Sequence, residues 1–265
     1  MYCSQCGTAV SSNDKFCLKC GATVSSADEH TTLEPSATDP STAPEATTST
    51  FRDPSKLTQW LKYLLYASIA IELIAIFFDV LQYRLLSDLN LGDYSSGELA
   101  ATALGFNAKR QQFIGFLQII IGISTPILFV MWIHRANFNA RQLGAQGMQF
   151  SPGWSIGYYF IPILWFWKPY QAMREIWQAS KEPASWATVQ RGSILPWWWF
   201  FFLGDCILGQ VASRLSSKVK EINGLIIYTG ILIASDLVSV LAAIFALVLV
   251  KQVYEMQMSH VQQRI

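Results

Sequence analysis

The stretch SPGWSIGYYFIPILWFWKPYQAMREIW, residues 151–177, is too apolar for an aqueous loop and looks too short to cross a bilayer. Its apolar part, Trp154–Trp167, has fourteen residues. That is about 21 Å of helix, against a hydrocarbon core about 30 Å thick. Pro162 interrupts it, and Pro152-Gly153 and Lys168-Pro169 bracket it. Two readings are open: a re-entrant or interfacial hairpin that leaves both its ends on one side, or a fifth span that puts them on opposite sides. The architecture of the whole chain turns on which holds.

The surrounding composition calls for a lipid solvent. The chain has 265 residues, of which 52% are hydrophobic and only 14% charged, where soluble domains average about 25% charged. Residues 1–56 are polar, and nearly all the apolar residues follow Leu57. Four segments are long and apolar enough to span, at about 60–82, 113–134, 194–213 and 225–251. Trp60, Tyr63, Tyr83, Trp132, the Trp197-Trp198-Trp199 run, Tyr228 and Tyr254 mark their ends. Tryptophan and tyrosine favour the headgroup layer, so these residues read as interfacial anchors, and "PWWWFFF" as an anchor more readily than a ligand cage. The expected fold is an all-α integral membrane helix bundle of four spans plus a re-entrant or interfacial hairpin over 152–181.

The amino terminus is of another kind. Cys3, Cys6, Cys17 and Cys20 form a C-x2-C…C-x2-C pattern, with Gly7 and Gly21 after the pairs. A two-residue gap aims both thiolates of a turn at one ion, and glycine accepts the positive φ that ends the turn. Four thiolates leave no open position for a catalytic water, which points to one structural Zn2+ in a ribbon over 1–24 built on a β-hairpin. Two disulfides or a dithiol redox pair are the alternatives, but a redox C-x-x-C sits in a βαβ setting that twenty residues cannot supply. Residues 25–55 are rich in Ser, Thr, Pro and acids, a composition that reads as a disordered linker. His30 within it is not needed as a ligand beside four cysteines. The start "MYCSQCG" lacks the basic and apolar regions of a cleaved signal peptide, so the first membrane helix is expected to do the targeting. The transmembrane domain covers 56–258, and 259–265 form a short tail.

Free thiolates imply a reducing compartment, so the ribbon and the amino terminus are expected in the cytosol. Charge bias then tests the opening stretch. If it does not cross, eleven membrane-flanking Lys and Arg lie inside and six outside; if it crosses, the count is eight to nine. The positive-inside rule favours the hairpin, and with it a cytosolic carboxyl terminus in an inner-membrane protein. After Pro169, a favoured first residue of a helix, Tyr170, Met173, Ile176 and Trp177 recur at helical spacing. Gln171, Arg174, Glu175, Gln178 and Lys181 take the other side, and Glu182-Pro183 ends the run. Two placements fit this amphipathic helix equally: in the membrane interface, or packed on the protein's own cytosolic face. Gly153 and Gly157, four apart, would permit a close helix contact.

Pro152-Gly153-Trp154, the Phe160-Ile161-Pro162 break and "WKPYQAMREIW" from Trp167 to Trp177 resemble the signature of a bacterial membrane family known as domain of unknown function 4328. The resemblance runs from about Leu57 to Gln257. It implies an integral membrane protein, often with a zinc ribbon in front, and brings no substrate, cofactor or catalytic residue with it.

Glu72, Asp205 and Asp236 stand about eleven or twelve residues into the first, third and fourth spans, roughly 16–18 Å deep and so near the midplane. The second span has Ser124-Thr125-Pro126 at that depth, and no Lys or Arg stands level with the acids. A charged acid there costs about 2.5–3.5 kcal/mol on insertion scales and so faces the bundle interior. The acids are either neutral and hydrogen-bonded to neighbouring helices, or a proton or cation site, with Asp79 lining its outer entrance. Cys206 reads as a small buried hydrophobe.

No P-loop, H-E-x-x-H, G-x-S-x-G or dinucleotide glycine pattern occurs, and the three histidines are scattered. The chain is therefore expected not to be an enzyme, and a membrane-embedded enzyme is the least favoured reading. A net charge of +1 does not suit nucleic-acid binding. The leading expectation is a membrane interaction, scaffold or sensory protein whose ribbon docks a cytosolic or membrane protein partner. The rival is a small proton- or cation-coupled transporter using the midplane carboxylates. A homo-oligomer stays open.

Overall fold

The computed structural model describes Ser11 and residues 51–91, 97–219 and 221–264. Residues 48–265 make one compact unit. Within it run α1 (Ser55–Leu91), α2 (Gly97–Gln142), α3 (Trp154–Gly157), α4 (Lys168–Lys181), α5 (Ile194–Ser216) and α6 (Ile222–Gln262). Short 3-10 turns at Tyr158–Phe160, Leu164–Phe166 and Pro183–Thr188 join them. α1, α2, α5 and α6 are long and apolar enough to cross a membrane. Each covers its expected span; α1 and α2 overrun theirs by more than a turn at both ends, and α6 by three residues at its start and eleven at its close. Hydropathy marks only the lipid-covered part of a helix, and the 37 residues of α1 reach about 55 Å.

The opening stretch does not cross the bundle. Its one turn of α-helix passes into 3-10 turns on either side of an extended Ile161 and of Ile163, whose φ of 71° no helix holds. Pro162, between these two residues, supplies the break. The chain leaves α2 and enters α5 at the same end: Phe129 near the close of α2 stacks 5.9 Å from Trp132 and lies 5.9 Å from Trp198 near the start of α5. The start of α1 and the close of α6 join them there, since Ser55 Oγ and Tyr254 Oη are 3.1 Å apart and Arg135 donates to the Asp53 carbonyl at 2.9 Å. Four antiparallel helices with three connections between them put Ser55 and Gln262 at one end of the bundle. A fifth span would have separated Gln142 from Ile194.

Of the two placements open to the amphipathic helix, the structure takes the second. α4 is packed against the bundle, with Ala172, Met173, Ile176 and Ala179 at most 1% exposed. They meet Trp132 and Ile133 of α2, Leu195 of α5 and Leu249 and Val253 of α6 in one core. Burial of Met173 and Ile176 contributes about 1.5–3 kcal/mol each. The polar side expected for this helix is only partly outside: Arg174 and Lys181 are exposed, but Glu175 is 4% exposed. Its carboxylate accepts the backbone N–H of Gln149 and that of Phe150, the latter at 3.1 Å. Burial raises this carboxyl above its ordinary range, and those two amides, with Arg141 and Arg174, pull the other way. Trp177 donates to Gln252 at 3.1 Å. A Cβ on Gly192 would lie 2.7 Å from the Trp177 ring, so that loop position has no room for one.

Buried polar groups seal the same end. Gln257 donates to the Ala136 carbonyl and to Ser180 Oγ, both at 2.9 Å. Asn137 and Arg141 both donate to the Phe150 carbonyl at 2.9 Å, and Asn139 exchanges two bonds with the backbone of Arg52. At Phe150 and Arg52 these side chains take the place of water on backbone groups that no helix pairs.

Two expectations are corrected. Trp132 is 1%, Trp198 2% and Trp199 9% exposed, so they are core residues, whereas Trp197 at 56% and Trp60 at 64% lie on the outside of the bundle. Successive helical residues point about 100° apart, so three consecutive tryptophans cannot share one face. Gly153 and Gly157 bring no second helix close: a Cβ on Gly157 would meet Trp154 of its own turn at 3.2 Å, and one on Gly153 would meet nothing.

Single cysteines placed at Gln149 and at Ser185 are therefore expected to react with an impermeant thiol reagent from one and the same side of sealed vesicles, read by peptide mapping. Reaction from opposite sides would make residues 154–167 a fifth span.

Candidate functional site

α1 carries Ser68, Glu72, Asp79 and Gln82 on one side, at spacings of four, seven and three residues that return to the same helical face. Each meets a polar partner across the bundle. Ser68 Oγ lies 3.4 Å from Thr125 Oγ1, and Gln118 donates to Glu72 at 2.7 Å. Gln111 donates to Asp79 and, at 2.8 Å, to Gln82. Asn107 also donates to Gln82, at 2.9 Å, and Gln82 donates to Thr229 at 3.2 Å. Asp236 of α6 faces this row with its carboxyl in hydrogen-bonding reach of both Glu72 and Asp79. A polar lane thus runs along the α1–α2–α6 seam from the bundle's middle toward the end opposite α4.

The sequence placed Glu72, Asp205 and Asp236 at one depth, and the structure joins two of them directly. Asp205 stands apart on α5 and accepts the hydroxyl of Ser239, one turn along α6 from Asp236. Asp79 lines no open entrance: it is 3% exposed and is a member of the cluster. Arg110, one of the six flanking charges that the charge count put outside, sits beside it, with its guanidinium 4.3 Å from the Phe78 ring and in electrostatic range of Asp79. Gln82, Asn107, Gln111 and Gln118 were missed. Their signal was available: amides in apolar helices that recur at intervals of four or seven residues.

A cavity of about 260 Å³ opens beside the lane. α1 packs on α2 and α6, and α6 on α5, and the space lies where α2 and α5 face each other. Glu72 and Asp205 reach it with Ser68, Thr125 and Ser239, and Phe129, Trp198 and Phe202 form its aromatic side. Pro126 lines it too; α2 continues through this proline as one helix. Tyr159, from the hairpin, closes the α4 end. Its hydroxyl is buried and has no hydrogen-bond partner among the described residues.

The remaining candidates divide. In the hairpin, Trp154, Pro162 and Trp167 are exposed, Pro169 and Trp177 are buried, and Pro152 and Tyr170 lie between. They shape the α4 end and form no catalytic set. Cys206 is half-buried beside Asp205. Among the described residues no three His, Cys, Asp or Glu side chains are placed to hold a metal ion. Cys3, Cys6, Cys17 and Cys20, His30 and residues 25–50 of the expected linker lie outside the described residues, while its last five, 51–55, are described, with Arg52 bonded to Asn139 and Ser55 opening α1.

The fold and the polar lane define a multi-pass helical membrane protein. Residues 96–255, more than half of the chain, match the family described as Domain of unknown function (DUF4328), and the chain belongs to that family. The match starts at α2, so the resemblance expected from Leu57 onward is narrower by α1. Residues 2–24 match a zinc-ribbon domain, which includes all four cysteines. Neither a curated protein nor a solved structure matches the chain.

Proposed function

We propose that the bundle is a proton-handling membrane protein of the coupled-transport class, with Glu72, Asp79 and Asp236 as its proton site. One observation carries this reading: the Asp236 carboxyl lies against two other carboxyls inside a bilayer-spanning bundle. Two ionised carboxylates offer only acceptors, so a hydrogen bond between them needs a bound proton. Gln118 and Gln111 donate to Glu72 and Asp79, which leaves Asp236 as the group best placed to carry it. Intramembrane acids are costly to insert and typically mark ion or proton paths. Infrared difference spectra of the purified protein between acid and alkaline buffer test the assignment. The carbonyl stretch of a protonated carboxyl is expected in the wild type and is expected to be lost or displaced in Asp236→Asn. An unchanged band would remove Asp236 from the proton site.

The zinc-ribbon match at residues 2–24 favours a second role beside the first. Four thiolates are the donor set of a closed structural zinc site, which supplies folding energy and no catalysis. On a tether of about thirty residues, the ribbon would dock a protein partner in the cytosol while the bundle works in the inner membrane, and no enzymatic step is assigned to either part. Purified protein is expected to hold one zinc per chain, and Cys17→Ser to release it while the bundle stays inserted. Zinc-free protein, or loss of insertion with the metal, would contradict this division of labour.

A further inference from the structure

We infer that the cavity between α2 and α5 is a binding site for a protonated amine with an apolar body. This deepens the coupled-transport reading by naming the class of molecule the bundle takes up. Three features of the cavity converge on that chemistry. Its polar wall is acidic, with Glu72 from α1 and Asp205 from α5. Asp205 accepts only the Ser239 hydroxyl among the hydrogen bonds it makes with described residues, so its carboxylate keeps lone pairs for a cation. Among the described residues no Lys or Arg lines the space.

The cavity is also lined by aromatic rings. Phe129 and Trp198 lie 5.9 Å apart and Trp198 stacks on Phe202 at 6.1 Å, and Trp198 and Phe202 precede Asp205 by seven and three residues on α5, so an apolar body gains area beside the carboxyl and an ammonium there gains cation–π attraction. Tyr159 supplies the third feature. A buried hydroxyl without a partner costs about 1–3 kcal/mol, and this one borders the cavity. Its oxygen accepts from an N–H donor, which a quaternary cation does not provide, and among the described residues no three His, Cys, Asp or Glu could hold a metal ion. Carboxylate, aromatic ring and hydroxyl oxygen together are the complement of a primary or secondary ammonium. At about 260 Å³ the cavity lies just under the range of small-ligand pockets, about 300–1,000 Å³, so the occupant is small.

The test uses the full chain in a maltoside detergent, which carries no amine, with phenethylammonium as the probe and phenethyl alcohol as its neutral counterpart, both followed by calorimetry. Saturable binding of the ammonium at one site per chain is expected, with the alcohol at least tenfold weaker. Asp205→Asn is expected to weaken the ammonium at least tenfold. Tyr159→Phe, which removes one hydrogen bond and keeps the ring, is expected to weaken it about 3–10-fold. Adding phosphatidylethanolamine separates two sources of the same group: competition assigns the site to a lipid headgroup, and unchanged affinity assigns it to a free amine. Equal binding of amine and alcohol, no binding of the amine, or binding indifferent to both substitutions would overturn the proposal. Glu72 belongs to both sites, but the infrared band of Asp236 is read without any amine present, so the failure of the amine site and the failure of the proton site are told apart.

Discussion

A carboxyl inside a bilayer has no water to turn to, and this constraint organises the middle of the molecule. Asp236 meets it by lying against Glu72 and Asp79, and those two by accepting amide protons from Gln118 and Gln111. The arrangement fixes the rotation of α1, α2 and α6 about their own axes, because any other phase would turn a carboxyl or an amide toward lipid. Apolar packing alone does not select a phase there, since lipid tails are as apolar as leucine. Ile71, Ala75 and Ile114 pack between α1 and α2 within the frame that the polar contacts set.

The α4 end obeys a related rule with other groups. Outside the hydrocarbon, a loop that returns over the bundle must find partners for its backbone. Glu175, Asn137 and Arg141 supply them from α4 and α2, and Gln257 of α6 ties α2 to α4 through the Ala136 carbonyl and Ser180 Oγ. α4 works as a plug: its apolar side enters the core, and its one buried carboxylate holds residues 149–150 in place. The hairpin is tied to this plug, and through it Tyr159 reaches the cavity. One short segment thereby links the α4 end of the bundle to the cavity.

Much of the fold was legible in the sequence because the bilayer simplifies the problem. Twenty consecutive apolar residues have few alternatives, and the spans over 60–82, 113–134, 194–213 and 225–251 each fall inside one helix. The hairpin was legible from Pro162 and from charge counting, since a proline break and a fourteen-residue length exclude the same alternative. The faces of the helices were not legible. Where every position is apolar, hydrophobic periodicity vanishes, and Trp198 and Trp199 look no different from Trp197 until their neighbours are placed. Glu175 was assigned to the solvent side for the related reason that a helical wheel knows one helix alone; the loop at Gln149 and Phe150 covers it from outside. At the site, the depth of Glu72, Asp205 and Asp236 followed from counting residues. Their grouping into a contact pair and a separate member depends on helix phase, which residue counting does not contain.

The central claim is that Asp236 interacts directly with the α1 carboxyls, and a double-mutant cycle tests it most directly. Stability toward denaturant in detergent would be measured for Asp79→Asn, Asp236→Asn, the pair together and the wild type. Residues in contact couple by about 0.5–3 kcal/mol, while independent sites add to within about 0.3–0.5 kcal/mol. The account predicts a coupling in the first range, and likewise for Glu72→Gln paired with Asp236→Asn. Additive effects in both cycles would show that the three carboxyls do not meet, and would contradict the polar lane.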